Sequence, residues 1–350
     1  MVEQDIAAPE PVGSQERVKR AIIVGIDHYP DGQSLGGCVA DATALDKLLS
    51  ANADGSPNWR TQLITGEEGG PEVTRDGLRH ALTQLFGNAR DTDLLFFFAG
   101  HGAQTPWGAD LVTQDATDHT LGVSMNDLIT LANDSPARSV TLILDCCFSG
   151  DLGNTPGQQA AAVAESFRLN KSILRENVTI LAASRAIETS QEVDGHGAFT
   201  RVLLDGLEGG ATDHLGKVTA LSLYGYVSPA FDAWQQRPVF KANLTEPVAL
   251  RIGPPWLDAA MLRRLPEHFP EADSRVRLSP EHEGEGRPLP PGTSGTPKQQ
   301  QFDYFGRLRN ANLVTTDGKR DHYWVAMESG EVYLTPMGQY FWKLAKRKVL

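Results

Sequence analysis

The chain has 350 residues, a formal charge of -12, 40% hydrophobic and 7% aromatic content, and three cysteines. That length suits one large domain with a smaller companion and allows an ordinary buried core. The negative balance argues against nucleic acid or anionic lipid as a general partner, and three cysteines make no disulfide framework, which points to a reducing compartment.

Residues 1–17 lack the apolar block of a signal peptide and read as a flexible arm of a cytoplasmic protein. No stretch approaches the ~18 apolar residues of a membrane span. RAIIVGID, residues 20–27, reads as a buried strand. After a glycine-rich turn, CVADATALDKLLS reads as a helix with Val39, Ala42, Leu45, Leu48 and Leu49 on one face. TQLITG is a second strand, and Thr74–Phe86 a helix capped by Thr74. DLLFFFAG (93–100), SVTLILD (139–145) and NVTILAAS (177–184) are further strands, with a Ser124-capped helix at 124–132 between the first two. Residues 101–118 and 150–175 read as long loops. Gly197–Leu207 and residues 219–235 read as helices, and the pattern stops between Pro247 and Pro255. Apolar strands alternating with helices predict an α/β fold: a mostly parallel sheet flanked by helices, an αβα sandwich.

The expected division is a main domain over 18–255, a helix and Pro/Gly-rich linker over 256–298, and a small winged-helix-like module over 299–350. In that module Gln299–Asn310 reads as a helix, HYWVAM and EVYLT as a hairpin, and the stretch from Pro336 as a closing helix.

Two strands carry the chemistry-bearing residues. FFFAGHG ends in His101 and Gly102, and LILDCCFSG ends in Asp145, Cys146, Cys147, Phe148, Ser149 and Gly150. The carboxyl ends of parallel strands form the ligand crevice of such sheets, so a histidine and a cysteine from different strands meet there. An imidazole activates a neighbouring thiol as a nucleophile. The backbone N–H groups of Cys147 and Gly102 are the natural oxyanion donors, since glycine permits close approach. Side chains alternate along a strand, which puts Asp145 and Cys147 on one face and Cys146 on the other, toward the core. A buried cysteine pair with a histidine bonded to a loop carbonyl is the alternative, and the residues alone leave both open.

FFFAGHG followed by LILDCCFSG resembles the caspase superfamily, in particular peptidases of the metacaspase and bacterial caspase-like type. The chain keeps the family's histidine-to-cysteine spacing of roughly 50 residues but departs from the QAC[RQG]G signature of caspases. DCCFSG instead resembles the metacaspase pattern Asp-x-Cys-x-Ser-Gly. GGCVADATAL (36–45) is similar to the block after the family's first strand, and HGAFTRVLLDGL to its closing helix. The resemblance covers residues 18–250 and implies His101 as general base and Cys147 as nucleophile, with no cofactor needed for the chemistry.

It also implies a specificity. Caspases cut after aspartate with basic pockets, metacaspases after Arg or Lys with acidic ones. Asp145 and Asp41 stand where the resemblance places pocket acids, and two carboxylates in one cleft complement a guanidinium. Asp41 also reads as a cap of its own helix, and Asp145 as an acceptor for backbone N–H groups. Ser184 and Arg185 fall in the family's substrate-binding loop, with Glu188, Asp115 and Trp107 as further rim residues. Arg168, Lys171 and Arg175 offer sites of self-cleavage, as in family members that mature by cutting themselves. Some members use calcium as an activator; no EF-hand spacing is present, and Asp91 and Asp93 are named as ligands by composition only.

The expected partners are a protein substrate, an activator or regulator acting through the C-terminal module, and no membrane. Nucleic acid is disfavoured despite the basic KLAKRK end, the chain is expected as a monomer, and the accessory module suggests an effector of a bacterial defence or cell-death system. Two other readings stay open: a catalytically silent caspase-like scaffold, and an Asp-specific peptidase with Arg185 as its pocket cation.

Overall fold

The central strands of the sheet divide their side chains between two cores. Ile22, Val24, Leu94, Phe96, Phe98, Leu142, Leu144 and Ile180 enter one, while Ala21, Ile23, Leu95, Phe97, Ile143 and Leu181 enter the other. Burial on both faces is what the unbroken apolar runs predict. The computed structural model describes residues 18–30, 34–105, 108–117, 119–148, 174–183, 196–232, 238–283, 295–319 and 321–350. The expected arm at 1–17 lies outside them. The chain forms two units, one of residues 1–211 with 218–253, the other of 212–217 with 254–350.

The first unit is built on β1 (Lys19–Ile26), β2 (Arg60–Gly66), β3 (Asp93–Thr105), β6 (Ser139–Phe148), β7 (Val178–Ala182) and β9 (Val239–Asn243), in the order β2-β1-β3-β6-β7-β9. All neighbours are parallel except β7 and β9. Helices α2 (Arg75–Gly87) and α3 (Met125–Asp134) line the first core. Helices α1 (Cys38–Ser50), α4 (Ala198–Asp205) and α5 (Ala220–Asp232) line the second. The fold is thus the mostly parallel, helix-flanked sheet that the sequence predicts. Thr74 and Ser124 cap α2 and α3 as expected, accepting from the N–H groups of Gly77 and Asn126.

The stretch after His101 is not a loop. β3 runs on to Thr105 and folds back as β4 (Gly108–Thr117), which pairs with β5 (Thr120–Ser124). A polar run such as GAQT gives no hydrophobic signal, yet it continues a strand because the ladder to β4 satisfies its backbone. β9, with burial that is only partial, was hidden for the same reason.

At the opposite end of the sheet a buried acid ties two strands. Asp93 is fully buried and accepts from Ser139 Oγ at 2.6 Å, Arg138 Nε at 3.0 Å and Arg138 Nη2. Removing the acceptor leaves two donors unpaired, although Arg138, 31% exposed, can rehydrate. Asp93→Ala is expected to lower stability by about 2–3 kcal/mol. A urea midpoint within experimental error of the parent would show that the cluster does not hold β3 to β6.

The second unit has its own core, including Leu262, Leu265, Phe269, Leu278, Phe305, Leu308, Val325, Leu334 and Trp342. The boundary therefore falls at 253, and residues 254–283 belong to this unit rather than to a linker, because Leu262, Phe269 and Leu278 are fully buried in it. Residues 284–294 lie outside the described residues. The expected hairpin is also corrected. HYWVAM is a helix, α8 being Pro297–Asn310 and α9 His322–Met327, with Asp321 as N-cap accepting from Tyr323 N–H. Its buried residues, His322, Val325 and Ala326, recur at helical spacing; the aromatic and β-branched content mimics a strand. β13 (Glu331–Leu334) pairs instead with β11 (Arg275–Arg277) and β12 (Val314–Thr316), both antiparallel. The last helix, α10 (Pro336–Lys346), starts on Pro as predicted and is capped by Thr335. Phe341 and Trp342 enter this core, whereas Tyr323, Trp324 and Tyr340 are exposed. Among the described residues no helix is long and apolar enough to cross a membrane.

Candidate active site

β3 and β6 run in parallel register from Asp93 opposite Ser139 to Gly102 opposite Phe148, which sets His101 opposite Cys147. Neighbouring strands lie about 4.8 Å apart. The alternation that sends Ala99 and Ile143 into the second core carries positions 101, 145 and 147 onto the same face of the sheet, where α1 and α4 pack. Cys146 goes the other way and is 2% exposed within the first core. The Cys147 side chain lies outside the described residues.

His101 is positioned by a residue that sequence reasoning missed. Tyr29 accepts the His101 backbone N–H at 2.9 Å, and the two rings lie 4.7 Å apart. Burial pushes the Tyr29 phenol above its ordinary value, so it stays neutral. Gly100 makes room for this contact: a Cβ there would stand 2.6 Å from the Tyr29 hydroxyl. Gly102 is flanked in register by Phe148 of β6 and Leu111 of β4, so its backbone lies within the sheet.

The acids form a cluster of their own. Asp41, in the first turn of α1, accepts Gly197 N–H on Oδ2 at 3.1 Å and approaches His196 Nδ1 with Oδ1 at 2.7 Å. Asp145 accepts the Thr200 hydroxyl at 2.6 Å. A Cβ on Gly197 would lie 3.0 Å from Asp41 Oδ2 and 3.1 Å from Asp145 Oδ2, so both carboxylates converge beside that glycine. Asp41 is 2% exposed, while Asp145 keeps a partly open surface. The helix-cap reading of Asp41 does not hold. Asp27, at the end of β1, takes the first N–H groups of α1, from Cys38 at 2.8 Å and Val39 at 3.3 Å, which leaves Asp41 to face α4. Asp145 is held chiefly by Thr200.

Two adjacent acids in a desolvated site cannot both ionise easily. Burial, then the Asp145 charge, push Asp41 up to about 7, against the His196 and Gly197 hydrogen bonds. Burial raises Asp145 too, with Thr200 opposing. Both acids therefore bind protons more tightly folded than unfolded. Their ionised forms burden the fold progressively as pH rises from about 4 through 7, and not below. Asp41→Asn is expected to stabilise the free protein by roughly 2–4 kcal/mol at pH 8 and to leave it unchanged at pH 4. Equal melting temperatures at both pH values would contradict the raised proton affinity.

The remaining predicted residues are not all brought together. Ser184, Arg185, Glu188 and Trp107, like Arg168 and Lys171, lie outside the described residues. Arg175 does not read as a cleavage site. Its guanidinium bonds the carbonyls of Ala132, Glu176 and Ala137, and its backbone N–H bonds Asn133, so it fastens the start of β7 to the end of α3. Asp115 accepts from Arg75 N–H and the Thr113 hydroxyl and so supports the start of α2. Asp93, named as a calcium ligand, is taken up by Arg138 and Ser139. His196 and Thr200 were legible only as parts of HGAFT; a histidine and a hydroxyl ahead of an apolar helix carry no other signal.

Among known proteins, the chain is 28% identical to metacaspase-3 of Trypanosoma cruzi over 153 residues, covering 39% of this chain and 42% of that one. It is 30% identical to metacaspase-3 of Arabidopsis thaliana over 160 residues, 42% and 44% of the two chains. The chain thus spans less than half the length of these curated relatives. Caspase-1 from Spodoptera frugiperda superposes with a TM-score of 0.46 at 16% identity, over 67% of this chain and 90% of that one. The caspase domain family, Peptidase_C14, matches residues 18–249, and the chain belongs to it.

Proposed function

We propose that this protein is a cysteine endopeptidase that cleaves protein substrates after arginine or lysine. The observation that carries the reading is the convergence of Asp41 and Asp145 beside Gly197, on the sheet face shared by positions 101 and 147. Two carboxylates whose proton affinities are raised by burial, that of Asp41 further by the Asp145 charge, gain most from a cation that enters between them. A guanidinium supplies that charge and a planar fork of donors.

In the proposed reaction His101 takes the Cys147 thiol proton as sulfur attacks the scissile carbonyl carbon. The backbone N–H of Cys147 stabilises the oxyanion; Gly102, flanked by strands on both sides, is not available for it in this arrangement. The C–N bond breaks, His101 returns the proton to the leaving amine, and an acyl-enzyme remains. Water, deprotonated by His101, then releases the carboxylate and the thiol. Tyr29 holds the backbone of His101 while this happens.

With a basic pocket preference, Arg168 and Lys171 are the sites of self-processing. Calcium as an activator, recruitment of an activator or regulator by the second unit, a monomeric state, a cytoplasmic setting and a role in bacterial defence are parts of the same proposal. The test is turnover of matched fluorogenic peptides ending in Arg, Lys, Asp or Gln, with and without calcium. Turnover after Arg and Lys supports the reading; turnover after Asp alone overturns the pocket assignment, and none under any condition favours a silent scaffold.

A further inference from the structure

The acid cluster has a third member that the bond-breaking steps do not use. His196 immediately precedes Gly197, and its Nδ1 lies 2.7 Å from Asp41 Oδ1. The imidazole is 20% exposed while Asp41 is almost fully enclosed, so the ring stands between solvent and the inner carboxylate.

We propose that His196 is a positioning residue for the arginine pocket: by donating its Nδ1–H to Asp41 it favours the ionised form of that acid, and so lets the pocket present a second negative charge to an entering cation near neutral pH. The inference rests on the reading of Asp41 and Asp145 as the pocket for a basic side chain.

The physical case is a balance at one carboxylate. Burial and the neighbouring Asp145 both favour the protonated form of Asp41, and the opposing forces are the His196 bond and the Gly197 N–H. Among the described residues the other charged or titratable groups around it are accounted for. Asp27, from β1, accepts from the first N–H groups of α1, and Lys19 and Arg20 sit at the far end of that strand. β2 brings only Arg60, which is exposed. β3 brings His101, opposite position 147, and Asp93 at the far end, paired with Arg138. In α4, Arg201 pairs with Asp205 near the surface. Cys38 stands in the first turn of α1 itself. No other described cation is placed to replace the histidine at Asp41. Without the donor, Asp41 keeps its proton through neutral pH and a guanidinium meets one charge instead of two.

The experiment compares the full-length parent with His196→Leu, which keeps bulk and cannot donate, and His196→Gln, whose amide can. If the leucine variant does not fold, His196→Ala takes its place. In the parent, KM for a peptide ending in Arg falls as pH rises from about 6 to 8. In His196→Leu the midpoint of that fall moves up by about one pH unit and KM at pH 7 rises about fivefold, with kcat little changed. His196→Gln returns the profile toward the parent. A leucine variant whose KM stays within about twofold of the parent across this range, or whose loss lies in kcat alone, overturns the inference. If the parent cleaves no such peptide the pocket reading fails separately. The inference is then decided by carbon-detected titration of the Asp41 carboxyl, assigned with Asp41→Asn. A midpoint that rises in His196→Leu upholds it, and an unmoved midpoint overturns it.

Discussion

Cys147→Ala is expected to reduce turnover of a peptide ending in Arg by at least about a thousandfold, and His101→Ala by nearly as much. The two are expected to be strongly non-additive. A thiol without its base and a base without its thiol are each almost inert, so the double variant should be little worse than either single one. The basis is the register of β3 and β6, which sets position 101 opposite position 147 across adjacent strands. Cys146 cannot substitute, because it is buried in the opposite core. Single-turnover assays with enzyme in excess read the acylation step directly. A His101→Ala enzyme that keeps more than about a tenth of parent kcat would assign the base elsewhere. Circular dichroism and melting of each variant separate lost chemistry from lost fold.

Asp145→Asn is expected to lower kcat/KM for a peptide ending in Arg by about 10²–10³-fold, while a matched peptide ending in Gln loses far less. The substitution keeps shape and a carbonyl acceptor for Thr200, so the change is mainly one of charge. It should also make Asp41 easier to ionise, since the Asp145 charge is the second cause of its raised value. Measured at pH 8, the variant should therefore bind Arg less well and yet melt higher than the parent. Equal losses on the Arg and Gln peptides would make Asp145 a structural acid rather than a pocket wall.

Much of this arrangement was legible in the residues, for physical reasons that can be named. Strands such as DLLFFFAG and SVTLILD carry apolar residues toward both faces because both faces are covered, and that pattern identifies the sheet. Strand parity then separates Cys146 from Asp145 and position 147. Illegible were the contacts that long-range packing creates. Tyr29 looks like a loop residue, but its hydroxyl reaches the His101 backbone. Asp41 reads either as a pocket acid or as a helix cap, and only the contact of Asp27 with the helix start removes the second. Arg175 looks like a cleavable residue in a loop, whereas three carbonyls hold its guanidinium. HYWVAM looks like a strand because aromatic and β-branched residues suit strands; its buried face is helical. Each error came from reading a segment locally where a partner distant in the chain decides.

Covalent labelling reads the nucleophile and the pocket preference in one experiment. The full-length protein is treated with a peptidyl-arginine acyloxymethyl ketone and, separately, with its aspartate counterpart, and the modified residue is mapped by mass spectrometry. One adduct is expected, on Cys147, from the arginine reagent only, and it is lost in His101→Ala. An adduct on Cys38 or Cys146, or labelling by the aspartate reagent in preference, would contradict it.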